Sequence, residues 1–155
     1  DGNIIWKMVN GKQVDDVYIK DSLRNLLSTN NGVMKSCWGL DLLRSGQTTF
    51  IKVDKNNKVK GGFVYDILKK YENVTGIKIK FRIEKNFQNC ISQMRSGTND
   101  VMAGLLEKGD RNTYMDYYYW GKGKDNKFKQ IVISKNSPFA KYSNELKTSM
   151  YFMQN

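Results

Sequence analysis

Histidine is absent from all 155 residues, and that omission removes a large part of catalytic chemistry. Without an imidazole there is no general base poised near neutral pH, no Ser-His-Asp or Cys-His nucleophile pair and no His-containing metal site. Cys37 and Cys90 are the only cysteines, too few for a zinc site of their own. They read either as buried thiols or as one disulfide in an oxidising compartment. Glu84, Glu107 and Asp116 are the carboxylates available for a reaction. No helix carries two of them on one face, although a pair drawn from separate loops would still suit glycoside chemistry. Gly61-Gly62 and Gly121-Lys122-Gly123-Lys124 lack the spacing of a phosphate-binding loop. The chain therefore reads as a binding module rather than an enzyme, and no cofactor or metal is expected.

What it would bind is narrowed by charge. Lys and Arg number 26 against 15 Asp and Glu, a net charge of +11, which favours anionic partners. The lysines are scattered from Lys7 to Lys147, and many alternate with apolar residues, as in Ile77-Lys78-Ile79-Lys80-Phe81. Alternation places them on the solvent side of a strand. Solubility is one account of the surplus and an anion-binding surface the other. Tyr114, Tyr117, Tyr118, Tyr119 and Trp120 form the most unusual local cluster. As a helix it would mostly pack; as a loop it could stack a sugar, a base or a partner side chain. No nucleic-acid motif accompanies it, so nucleic acid is not an expected partner.

The elements that must position these groups follow from periodicity. At 39% hydrophobic and 12% aromatic residues with a single proline, the chain suits one packed domain. No apolar run approaches a membrane span, so no transmembrane segment is expected. The first residue is Asp1, which fits either a removed leader or an excised piece. Residues 1–32 read as an N-terminal extension, a hairpin turning at Asn10-Gly11 followed by a short helix around Ser22 to Leu27. From Val33 a strand–helix alternation begins: strands over Val33–Trp38, Ile77–Ile83, Asp100–Leu105 and Phe128–Ser134, with helices over Phe63–Tyr71 and Asn86–Arg95. In the second helix Phe87, Cys90, Ile91 and Met94 fall on one stripe. The pattern predicts an α/β fold of three layers with a mostly parallel sheet, residues 33–134 as the main lobe and 135–155 as a tail with one short helix from Ser143. In such sheets ligands bind beyond the carboxyl ends of the strands.

Four segments resemble one family in the correct order. Lys58-Val59-Lys60-Gly61-Gly62-Phe63-Val64-Tyr65-Asp66-Ile67-Leu68 is similar to the "nGkvtGfdvDll" start of the first helix in type 2 periplasmic binding proteins. That group includes the family 3 amino-acid binders, Venus-flytrap sensor domains and ionotropic glutamate receptor cores. Asn73-Val74-Thr75-Gly76-Ile77-Lys78-Ile79-Lys80-Phe81 resembles "tGvkvef", and Gln93-Met94-Arg95-Ser96-Gly97-Thr98-Asn99-Asp100-Val101-Met102-Ala103-Gly104 resembles "lqsGkyDvi.a". Gly109-Asp110-Arg111 with Met115-Asp116-Tyr117-Tyr118 resembles "TpeR…vdFs.pY".

The resemblance implies one lobe of a two-lobed binder that closes over a small solute. It assigns Arg111 to the ligand carboxylate, where a guanidinium fork pairs bidentately, and Trp38 to the pocket wall. Leu105 and Leu106 occupy the stretch that supplies backbone contacts, and Lys108 stands where the family has Thr. The expected function is an extracytoplasmic (periplasmic, cell-surface or secreted) lobe that binds or senses a small anionic solute such as an amino-acid-like carboxylate. A second lobe, another copy of the chain or a membrane receptor would complete the cleft. The alternative is a protein–protein or surface-interaction domain that keeps this fold without a ligand.

Overall fold

The computed structural model describes residues 7–9, 12–14, 21–46, 48–121 and 127–154. Strands β1 (Lys7–Val9) and β2 (Lys12–Val14) pair antiparallel, with Lys7 opposite Val14. The predicted turn at Asn10-Gly11 and the residues expected to prolong β2 lie outside the described residues. Helix α1 (Arg24–Ser28) covers most of the predicted short helix and buries Leu26.

Strand β3 (Val33–Gly39) begins the main fold. It is followed by the short helix α2 (Leu40–Arg44), the antiparallel pair β4 (Lys52–Val53) and β5 (Val59–Gly61), and helix α3 (Phe63–Thr75). Strand β6 (Lys78–Glu84) then returns parallel to β3 along its whole length, from Val33 opposite Lys78 to Gly39 opposite Glu84. A parallel return needs a long crossover. The intervening segment supplies one, and α3 lays Val64, Leu68, Tyr71 and Thr75 into the core as a single helical stripe.

Helix α4 (Phe87–Ser96) buries Phe87, Cys90, Ile91 and Met94, the stripe read from the sequence. Cys37 of β3 and Cys90 of α4 form a disulfide across 53 residues, which resolves the two open readings of the cysteines. Strand β7 (Val101–Ala103) pairs antiparallel with β9 (Gln130–Ser134), which in turn pairs antiparallel with β8 (Met115–Tyr119), giving the order β7-β9-β8. Every residue of β7 and β9 is buried, as suits strands covered on both faces. The reversed direction of β9 was not visible in the strand–helix alternation. The middle of the aromatic cluster at Tyr114–Trp120, weighed as helix or loop, instead forms β8, with Tyr114 and Trp120 flanking it; a run of consecutive aromatics hides the two-residue period that marks a strand.

Asp100, read from the sequence as structural, ties the two groups of strands together. Its carboxylate accepts from Lys35 N at 2.8 Å and Ser137 Oγ at 2.7 Å, its N–H donates to Lys35 O at 2.8 Å, and its carbonyl accepts from Ser134 N at 2.9 Å. At 4% exposure an unpartnered carboxylate there would be costly, so the two donors on its oxygens are what make it tolerable, while the two backbone bonds fix its place between the strands. Helix α5 (Ser143–Met153) buries Leu146, Ser149, Met150, Phe152 and Met153. It docks on α3 through Tyr71 Oη with Ser149 Oγ at 3.1 Å, and Lys70 Nζ donates to Met153 O at 2.8 Å. The C-terminal segment thus belongs to the core rather than trailing from it. No helix among the described residues is long and apolar enough to cross a membrane.

Candidate functional site

The chain leaves β7 at Gly104, whose φ is +62°. A Cβ there would stand 2.7 Å from Val64 Cγ2 as well as sit in the left-handed region, so glycine is required on both counts. This sharp exit sends Leu105 to Arg111 across the carboxyl ends of the strands. Gln130, buried at the start of β9, pins the exit: its Oε1 accepts from Leu105 N at 3.2 Å, and its Nε2 donates to Leu105 O and to Lys127 O, each at 3.0 Å. The next residue anchors the arginine. Arg111 Nη1 donates to Leu106 O at 2.9 Å, and Tyr117 Oη donates to the same carbonyl at 3.0 Å. Burial pushes the Tyr117 phenol up to about 12, despite the nearby Arg111 charge, which favours the phenolate. It therefore remains a donor at neutral pH.

Opposite this loop, β3 delivers Trp38. Gly39 lets the chain pack against the start of α4, because a Cβ at that position would collide with Phe87 backbone and the Asp41 carboxylate. Asp41 Oδ1 accepts from Phe87 N at 2.8 Å, placing a negative group at the N-terminus of α4, where the helix dipole favours it. Trp38 meets Phe87 edge-on at 4.7 Å between centroids and stacks on Phe50 at 5.9 Å; Phe128 closes the group at 5.6 Å from Phe50. Trp38 Nε1 is buried and has no hydrogen-bond acceptor among the described residues.

Between the two walls lies a cleft of about 260 Å³. All five residues singled out from the sequence line it: Trp38, Leu105, Leu106, Lys108 and Arg111, joined by Leu42, Phe50, Phe87, Gln88, Gly104 and Phe128. Phe50, Phe87 and Phe128 were missed as site residues. They come from three distant segments, and nothing in the sequence brings them together. The carbonyls of Leu105 and Leu106 are already taken by the chain's own donors, so these two residues offer the cleft chiefly apolar surface.

Among the described residues Arg111 forms no ion pair, because the neighbouring acids are paired with other cations. Asp110 pairs instead with Arg95 at 3.0 Å, and Asp116 with Lys135 at 3.9 Å. Among the described lining residues there is no Asp or Glu, while Lys108 and Arg111 supply positive charge. Other carboxylates are engaged elsewhere. Glu107 accepts from Tyr119 Oη at 2.7 Å and Asn112 Nδ2 at 3.1 Å, and Glu84 accepts from Gln93 Nε2 at 3.1 Å beside Arg82. Chemically the arrangement can receive an anion at one rim and an apolar or aromatic body against the other.

The fold is similar to the arginine-bound form of domain 1 from TmArgBP of T. maritima, with a TM-score of 0.57 at 18% identity over 81% of this chain and 94% of that one. A mutant of the same domain gives a TM-score of 0.56 at 16% identity over 83% and 95%. Substrate-binding domain 2 of Lactococcus lactis GlnP, in its open conformation, gives 0.46 at 20% identity over 56% of this chain and 35% of that one. Sequence comparison with curated proteins gives no match. The family model of bacterial extracellular solute-binding proteins, family 3, matches residues 45–151, more than half of the sequence and including the loop that carries Arg111. The chain therefore belongs to family 3 of the bacterial extracellular solute-binding proteins, with the fold of one lobe of a type 2 periplasmic binding protein.

Proposed function

We propose that the cleft binds a small solute carrying a carboxylate and an apolar or aromatic body, outside the cytoplasm, and that it does so without catalysis. The carrying observation is Arg111: its guanidinium is oriented by the Leu106 carbonyl yet unpaired with any acid among the described residues, at the rim of an aromatic-walled cleft. One Nη is committed, which leaves the rest of the planar fork for an anion. Trp38, Phe50, Phe87 and Phe128 supply the surface for the body of the ligand. The fold neighbour's arginine-bound state makes an amino acid a natural ligand class. The lining, cationic and without a described carboxylate, favours an apolar or aromatic side chain over a guanidinium.

The test is a thermal-shift and calorimetric screen of small carboxylates and amino acids against the wild type and Arg111→Ala. A charge-assisted hydrogen bond to a partly exposed group contributes about 1.5 kcal/mol, so Arg111→Ala is expected to weaken the best ligand roughly tenfold or more. Unchanged affinity would remove the clamp. A protein-contact role is supported by a separate observation: Tyr119 and Tyr151 are 40% and 42% exposed beside a groove that Tyr117 also lines. It predicts a dimer or complex in sizing experiments and no ligand-induced shift.

A further inference from the structure

The five-residue α2 and the segment from residue 48 to 53 form a wall with two sides. Leu42 and Phe50 face the cleft. On the other side, Leu40, Leu43, Ile51 and Val53 floor a separate groove of about 440 Å³. Its rim carries Arg44, Lys52 and Lys60, with Thr48 and Asn57, and no acidic residue lines it among the described residues. Lys55 and Lys58 extend the same basic edge along the β4–β5 turn, and all five cations are exposed. None forms an ion pair among the described residues. Two carboxylates lie close by in sequence, and each is engaged by backbone: Asp54 Oδ1 accepts from Asn56 N at 2.8 Å and Lys58 N at 3.0 Å, and Asp41 Oδ1 accepts from Phe87 N at 2.8 Å. The net charge of +11 is not accounted for by the cleft, which uses two cations.

We propose that this groove docks the chain onto a membrane surface rich in anionic phospholipid, with lipid phosphates at Arg44, Lys52 and Lys60 and the acyl boundary on the aliphatic floor. A basic rim around an apolar floor is the combination that peripheral membrane binding uses, the lysine stems lying along apolar surface while their ammonium groups meet the phosphates. An acidic protein segment fits less well. Strand β4 has only two residues, so the edge it leaves open beside β5 offers an added strand little backbone to pair with. The floor has no aromatic ring on which a base could stack.

The experiment is co-sedimentation of the full chain with phosphatidylcholine vesicles with and without phosphatidylglycerol. Wild type is expected to bind only the anionic vesicles, more weakly as salt rises. The variant Arg44→Glu/Lys52→Glu/Lys60→Glu is expected to lose roughly tenfold or more in partition. Reversing Lys78, Lys80 and Lys147, which lie outside the groove and change net charge equally, is expected to cost much less. Leu43→Asn, which leaves charge untouched, is expected to weaken binding as well, and thermal melts establish that each variant is folded. Equal loss in the two triple variants would reduce the effect to diffuse charge and overturn the proposal. So would absence of vesicle binding, or capture of polyglutamate by this face without vesicle binding. Arg111→Ala is expected to bind vesicles as wild type does, which separates failure here from failure of the cleft.

Discussion

Gln130 pins Leu105, the neighbour of the residue whose carbonyl holds Arg111, and Gln130→Leu tests how far the site depends on that anchor. Leucine keeps the volume and the burial but deletes three hydrogen bonds, two of them to Leu105 N and O and one to Lys127 O. Lys127 is exposed, so its carbonyl can turn to water. Leu105 is only 3% exposed, so its N–H and C=O are left buried and unpaired. At about 1–2 kcal/mol for each orphaned group the substitution costs roughly 2–4 kcal/mol. At about 2–4 °C per kcal/mol for a domain of this size, that is a fall in Tm of roughly 5–15 °C. Differential scanning calorimetry reads the stability, and titration of the best carboxylate, run well below the variant's melting point, reads the site. Affinity is expected to fall as well, because the Leu105–Leu106 platform that orients the guanidinium has lost its anchor. Gln130→Glu refines the test: it keeps an acceptor for Leu105 N but sets an oxygen against two carbonyls, so acidification that protonates it should recover stability. A melting point for Gln130→Leu within about 1 °C of wild type would refute the argument, since buried backbone groups would then be finding partners without the amide.

Replacing Cys37 and Cys90 by alanine, or reducing the bond under denaturing conditions, should destabilise the chain by about 2–4 kcal/mol, because a loop of 53 residues is released in the unfolded state; denaturant titration with and without reductant reads it. Gly39→Ala should cost about 1–3 kcal/mol, since the new methyl must push Phe87 backbone and the Asp41 carboxylate apart, and a crystal structure of the variant should show α2 displaced. Alkaline stability follows from the phenols. Tyr117 is held up to about 12 against an ordinary 10.0 and the wholly buried Tyr71 is raised too, in both cases chiefly by burial. The folded state thus keeps these phenols neutral where the unfolded chain would ionise. Their contribution is complete below pH 10 and is lost as pH climbs from there toward 12; Tyr117→Phe should flatten that slope in denaturant melts monitored by phenolate absorbance.

Much of this architecture was legible in the sequence where one period dominates. Ile77, Ile79, Phe81 and Ile83 alternate with charged residues, and β6 follows. Phe87, Cys90, Ile91 and Met94 repeat at helical spacing, and α4 buries all four. The resemblance placed Arg111 and Trp38, and the two do line one cleft. What escaped was tertiary. Phe50 and Phe128 join Trp38 from segments 12 and 90 residues away along the chain (50 − 38 and 128 − 38), and no local pattern announces such a meeting. Gln130 looks like any polar residue at a strand edge until Leu105 is seen beside it. The direction of β9 depends on where β8 lies, and β8 was obscured because consecutive tyrosines satisfy any period.

The brevity of α2 has its own consequence. A helix of five residues cannot hold itself, since isolated helices need about 12–15 residues to be even marginal in water. Its place is borrowed: Asp41 N reaches Lys85 O at 3.1 Å and Asp41 Oδ1 takes Phe87 N at 2.8 Å. The coordinates of Leu42 on one side and Leu43 on the other are therefore inherited from the foot of α4. A change at Lys85 or Asn86 would be felt as altered recognition on two surfaces, the cleft that Phe87 lines close by and the basic groove, whose lining residues all lie more than twenty positions away in sequence.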